Sequence, residues 1–259
     1  MILANTTNFV LAGGGEPGLL LAGLAIADEL RSSIPRSRII FAGAGTGPEV
    51  RRICRAGYEY VALGGACEDR PGRAWQWPWT RWGEPRLLLK RIRPAAVVSL
   101  GGAIGEAVGR AAAGLRLPLA ILEQHVSPSL ATRRLAAKAQ LICLGFEETR
   151  RNLVANCPIR VTGIPVSATP IVAAIETDSP ECSQVRAART LAQGGACLLV
   201  EQPDQEQAWT QVLKPSLSDS GHRRRLTAAM QRHFRNDAAW HMAGMIRDLI
   251  SSAAAHRVA

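Results

Sequence analysis

The chain has 259 residues, 47% of them hydrophobic and 20% charged. This excludes a mainly disordered chain, a collagen-like fibre and a coiled-coil rod, and the length suits one large domain or two modest ones. The net charge of +10, from 31 basic and 21 acidic residues, favours anionic partners: nucleic acid, phosphates or an acidic membrane surface.

Residues 8–12 read as a short buried strand running into Gly13-Gly14-Gly15-Glu16-Pro17-Gly18, after which Leu19 to Leu30 forms an apolar helix. Strand, glycine turn, helix is the opening of a nucleotide-binding α/β unit. Arg38 to Ala42 is the next strand, Gly43 to Gly47 a second glycine turn, Pro48 to Ala56 a helix with an early proline, and Tyr58 to Leu63 a third strand. Ala95 to Leu100, Leu119 to Glu123, Leu141 to Leu144 and Arg160 to Thr162 are further strands. Helices are expected after Gly101-Gly102 as far as Gly114 and over Leu130 to Ala139. This alternation predicts an α/β fold with a Rossmann-like parallel sheet, helices on both faces and ligands at the strand ends. The organisation expected is a Rossmann-like domain over 1–167, a linker over 168–190, and a reduced α/β lobe over 191–259 carrying one clear strand, Ala196 to Glu201.

No apolar run reaches the ~20 residues of a membrane-spanning helix, and Met1 to Asn8 lack the basic start of a secretory leader. The six cysteines (54, 67, 143, 157, 182 and 197) show neither CxxC nor mixed Cys/His spacing, which points to reduced thiols and no metal site.

Residues 64–93 differ from their surroundings. Trp75, Trp77, Trp79 and Trp82 lie among seven basic residues, including Arg81 and Arg86, against Glu68, Asp69 and Glu84. Tryptophan favours the headgroup layer and arginine anionic lipid, so the segment fits a membrane surface, with Leu87-Leu88-Leu89 dipping toward the acyl chains. A core filled by tryptophans and a stacking surface for single-stranded nucleic acid are the competing readings; the partner carried forward is the membrane, not nucleic acid.

Several landmarks occur in one order: Ala12-Gly13-Gly14, Gly57-Tyr58-Glu59, Pro94 to Gly102, Leu119 to Gln124, and Val161-Thr162-Gly163-Ile164-Pro165-Val166. In this the chain resembles the MurG family of bacterial peptidoglycan N-acetylglucosaminyltransferases, glycosyltransferases of the GT-B fold. The resemblance covers most of residues 8–167, and Leu191 to Pro203 is similar to a stretch near the family's C-terminus. It implies transfer of GlcNAc from UDP-GlcNAc to undecaprenyl-diphospho-muramoyl pentapeptide, with inversion and without a metal or other cofactor, at the cytoplasmic face of the cell membrane as a peripheral protein. It also implies that Gly13, Gly14, Gly15, Glu16, Pro17 and Gly18, with Gly101, Gly102 and Gly105, face the lipid-linked diphosphate, and that Gln124 and Gly163 belong to the substrate site.

Three departures bear on the chemistry. Leu19 stands where the family has a loop histidine, the HEQN-like segment reads Leu122-Glu123-Gln124-His125, and the GNPVR-like segment reads Gly163-Ile164-Pro165-Val166-Ser167. His125, with Glu123, is therefore the candidate general base toward a sugar hydroxyl. A full donor-binding domain needs ~100–150 residues, and after the hinge only 168–259 follow, without the family's donor-binding glycine motif. The expectation is thus a GlcNAc transferase whose donor site is largely deleted. The alternative is a non-catalytic, membrane-associated acceptor-binding or scaffold protein that needs a donor-binding partner chain.

Overall fold

Seven short runs dominated by aliphatic residues become the strands of one sheet. They are β1 (Thr7–Ala12), β2 (Ser37–Gly43), β3 (Glu59–Ala62), β4 (Ala96–Ser99), β5 (Leu119–Glu123), β6 (Leu141–Leu144) and β7 (Ile159–Val161). The computed structural model describes residues 6–14, 17–63, 80–165, 172–174, 183–201, 204–232, 234–235 and 237–258. The strand order is β3-β2-β1-β4-β5-β6-β7, and every pairing is parallel. β4, β5 and β6 are buried throughout, the signature of strands covered on both faces. The chain winds outward from β1 through β2 to β3, then returns to place β4 on the other side of β1, pairing Ala12 with both Ala42 and Ser99. The topological switch point, where such sheets take ligands, lies between the carboxyl ends of β1 and β4.

The alternation of the strands feeds two cores. Phe9 and Leu11 point to one side with Val98, Leu100 and Leu122, against Leu20, Ile26 and Leu30 of α1 (Pro17–Ser33) and Ile53 of α2 (Gly47–Arg55). Val10 and Ala12 point to the other side with Val97 and Ile121, against α3 (Thr80–Ile92), α4 (Gly102–Gly114) and α5 (Leu130–Leu135). α5 ends four residues before the helix expected from the sequence does, and a short helix α6 (Glu147–Arg150) follows β6.

Helix α3 corrects one expectation. Leu89 is 1% exposed and Leu88 is partly buried in the second core, so of the three leucines Leu87 alone, at 68% exposure, is available to a lipid phase. The cause is the packing of α3 on α4, which turns that face inward. Trp75, Trp77 and Trp79 lie outside the described residues, as do the side chains of Trp82 and Arg81.

The stretch expected to be a linker holds ordered elements. Residues 172–174 form β8 (Val172–Ala174), and α7 (Ser183–Gln193) begins inside it. β8 pairs in parallel with β9 (Leu198–Val200), and α8 (Glu206–Ser218) and α9 (Ser220–Met230) complete the lobe. Its core joins Leu191, Ala196, Met230 and Phe234 to Phe146 and Ile164 of the preceding domain, and Ile164 bridges to Phe234. The helix that follows, α10 (Ala238–Val258), returns to the sheet domain, where Met242, Ala243 and Ile246 enter the core under α1. The core of the sheet domain thus includes residues of α10.

Candidate functional site

Two glycine turns meet at the switch point because nothing larger fits. Gly13 donates its N–H to the Ala42 carbonyl (3.0 Å), and the Leu100 N–H donates to Ala12 (2.7 Å). A Cβ on Gly13 would lie 2.8 Å from Cβ of Leu100, and one on Gly102 would lie 3.0 Å from the Gly14 carbonyl oxygen. Gly101 (φ 103°) and Gly102 (φ 70°) both occupy backbone space that favours glycine. They start α4 with no side-chain cap and no acidic residue in the first turn, which leaves its leading amides without a side-chain acceptor at the cap. Gly105 sits one turn in, where a Cβ would come 2.8 Å from Oγ of Ser99. Ser99 is 1% exposed and its hydroxyl has no hydrogen-bond partner among the described residues.

Of the first turn's expected site residues, Gly13 and Gly14 face Leu100 and Gly102, Pro17 and Gly18 open α1, and Gly15 and Glu16 lie outside the described residues. Leu19, in the place of the family's loop histidine, is 4% exposed and approaches Gly101, so that position is apolar.

At the end of β5 the carboxylate of Glu123, 2% exposed, is held on both oxygens. Oε1 accepts from the His125 backbone N–H (2.9 Å) and lies 2.6 Å from His125 Nδ1, while Oε2 accepts from the Ser129 N–H (2.8 Å). Burial pushes the Glu123 carboxyl up, but hydrogen bonds from His125 and Ser129 and the charge of His125 outweigh it and hold the group at about 2. Glu123 is thus a permanent carboxylate and a poor proton acceptor. With no proton of its own to give, it requires His125 Nδ1 to donate. Of the two expected bases, Glu123 is thus the anchor that orients the His125 ring. Thr149, buried, fixes the following backbone by donating to the His125 carbonyl (2.6 Å). Gln124, between them, has a buried Nε2 without a partner among the described residues. Gly145 packs against Gln124 and Ile164, and Gly163 (φ 81°) donates to Leu144, so the expected substrate-site residue Gly163 lies at the same sheet edge.

Sequence reasoning missed Glu49 and Tyr60. Glu49 is 8% exposed, its Oε1 crowds the space over Gly14, and its Oε2 accepts from the Tyr60 hydroxyl (2.9 Å). The same hydroxyl accepts from the Gly45 N–H (2.8 Å), which ties the second glycine turn to the first. Burial, with the neighbouring Glu49 carboxylate, raises the Tyr60 phenol far above its ordinary value despite that backbone bond, so it stays a donor. The Thr46-x-x-Glu49 spacing at the start of α2 was the available signal, since it marks a helix N-terminus.

Two further cavities lie elsewhere. A groove of about 930 Å³ at the opposite, amino edge of the sheet is lined by Arg110, Arg116, Leu117, Lys138 and Leu249. A neighbouring cavity of about 620 Å³ adds Leu89, Lys90 and Arg93. The walls of both carry neither the glycine turns nor the His–Glu pair, which lie at the carboxyl edge. Among the described residues no group of three or more His, Cys, Asp or Glu side chains could hold a metal ion, and no helix is long and apolar enough to cross a membrane.

The Rossmann-like parallel sheet, with paired glycine turns at its switch point, gives the chain an α/β fold like that of the GT-B glycosyltransferases. MurG of Acinetobacter baumannii shares the fold with a TM-score of 0.68 at 15% identity, over 93% of this chain and 99% of that one. In sequence, the chain is 33% identical over 164 residues to the UDP-N-acetylglucosamine--N-acetylmuramyl-(pentapeptide) pyrophosphoryl-undecaprenol N-acetylglucosamine transferase of Carboxydothermus hydrogenoformans, covering 61% of this chain and 43% of the relative. The same enzyme of Christiangramia forsetii is 30% identical over 162 residues, covering 61% and 44%. The chain thus spans under half the length of the curated relatives it matches, and no family model matches it. The resemblance to MurG drawn from the landmarks holds in sequence and in fold.

Proposed function

We propose that the chain binds a lipid-linked diphospho-sugar acceptor in the cleft between its two glycine turns and acts as a MurG-like GlcNAc transferase, using UDP-GlcNAc and the undecaprenyl-diphospho-muramoyl pentapeptide. The observation that carries this is the contact between the Gly13-Gly14 and Gly101-Gly102 turns at the switch point, supported by the similarity to the named transferases over 61% of the chain. In this mechanism the acceptor hydroxyl attacks the anomeric carbon of GlcNAc as the bond to UDP breaks, inverting that carbon. The hydroxyl proton passes to Nε2 of His125, while Glu123 holds Nδ1 and stabilises the imidazolium that forms. Backbone amides and helix N-termini stabilise the departing diphosphate.

The protein would work at the cytoplasmic face of the membrane. Exposed Arg86, Leu87, Lys90 and Arg91 of α3 and the basic cavities at the amino edge supply a surface suited to anionic lipid.

A second reading, an acceptor-binding protein completed by a partner chain, is favoured by buried, apolar Leu19 at the family's histidine position. The test is transfer of labelled GlcNAc to the lipid-linked muramoyl peptide by the purified chain in detergent. Turnover lost in His125→Ala supports the transferase. Acceptor binding without turnover, beside an active MurG control, supports the second reading, and loss of both refutes the assignment.

A further inference from the structure

The two turns of the cleft are electrostatically unlike. Against Gly14 lies the carboxylate of Glu49, 8% exposed and close enough that a Cβ at position 14 would collide with Oε1. Its other oxygen is committed to Tyr60, whose hydroxyl is fixed in turn by the Gly45 amide. The carboxylate thus occupies the place over a glycine turn that an external phosphate oxygen would take. The second turn carries the reverse pattern. α4, 13 residues long, opens on Gly101 and Gly102 with no side-chain cap and no acid in its first turn. Beneath that turn the Ser99 hydroxyl, 1% exposed and without a partner among the described residues, abuts Gly105. A buried hydroxyl without a partner is costly unless a ligand reaches it or its amide neighbours.

Resting on the acceptor-binding reading above, we propose that Glu49 fills the anion position of the first glycine turn, so that the acceptor diphosphate is held by the second turn, Gly101-Gly102 and the start of α4. The first turn then faces uncharged, hydroxyl-bearing parts of the acceptor, for which a carboxylate is a good hydrogen-bond acceptor. Glu49 is a specificity-determining residue in this scheme, because it decides which of two similar turns takes the charge.

The test is an amide-resolved NMR titration of the full chain with inorganic pyrophosphate, then with farnesyl diphosphate and with UDP in separate samples. The expected result is a shift of the Gly102 and Ala103 amides with pyrophosphate and farnesyl diphosphate, and little change at Gly14. Glu49→Gln keeps an oxygen for Tyr60 and removes the charge, so Gly14 should respond and pyrophosphate should bind about tenfold tighter. Tyr60→Phe, which keeps the carboxylate, should leave the pyrophosphate response confined to Gly102 and Ala103. Equal shifts at Gly14 and Gly102 in the unmodified chain, or unchanged affinity in Glu49→Gln, would overturn the inference while leaving acceptor binding intact. Shifts at Gly102 with UDP but not with farnesyl diphosphate would overturn the assignment to the acceptor. Absence of any response to pyrophosphate and farnesyl diphosphate would overturn both the inference and the acceptor-binding reading.

Discussion

Nδ1 of His125 lies 2.6 Å from Oε1 of Glu123, two residues back along the chain where β5 leaves the sheet. The contact is short because the same oxygen also receives the His125 backbone amide, which curls the chain around the carboxylate. His125→Ala should therefore lower kcat by about 100-fold or more, the scale of a general base, with KM for the acceptor little changed. Steady-state kinetics with varied acceptor would decide it, and an unchanged kcat removes His125 from the chemistry.

Glu123 ties acid sensitivity to the same place. Its folded carboxyl titrates at about 2 against an ordinary 4.5. The folded state thus binds fewer protons than the unfolded chain between those values. The stabilisation is full above the unfolded value and is lost as pH falls through the folded one, amounting to roughly 3 kcal/mol near neutral pH. Urea unfolding at pH 7, 5 and 3 should show this loss, and Glu123→Gln should flatten it and lower stability at pH 7. A variant as stable as the parent at pH 7 would contradict this account.

Ser99 separates a binding role from a structural one. Replacing an unpartnered buried hydroxyl by hydrogen leaves folding neutral or gains about 1 kcal/mol. Ser99→Ala should hold or raise the melting temperature and weaken pyrophosphate binding several-fold. A drop in stability with binding intact would assign the hydroxyl to packing.

The surface of α3 makes a prediction about lipid. Arg86, Lys90 and Arg91 are exposed, and a cation near an anionic surface contributes about 1 kcal/mol. Reversing all three to Glu should cut binding to phosphatidylglycerol vesicles at least about tenfold, while neutral phosphatidylcholine vesicles bind weakly either way. Sedimentation with vesicles measures both, and an undiminished anionic binding would place the membrane surface elsewhere.

The strands were legible because their apolar runs are continuous and their glycines fall at strand ends: β5 and β6 match the expected spans residue for residue. Helix α3 was not, although buried or partly buried Pro85, Leu88, Leu89 and Ile92 follow helical spacing; the surrounding tryptophans and arginines drew the reading toward composition. β8 escaped because three residues pair with a strand far along the chain, and no local pattern encodes that. Of the proposed site, the turns and His125 are residues that the sequence already singles out. Glu49 was not, since its meaning comes from contacts with Gly14 and Tyr60 that only the folded sheet creates.

The return of α10 to α1 also shapes how the protein is made. Leu20, Ala22 and Ile26 are covered by Met242, Ala243 and Ile246, so every strand of the sheet leaves the ribosome before its covering helix does. Until then one flank of the nascent domain stays apolar and open. That flank is a natural holding point for a chaperone, and a product whose synthesis stops short of α10 would carry it exposed into aggregation.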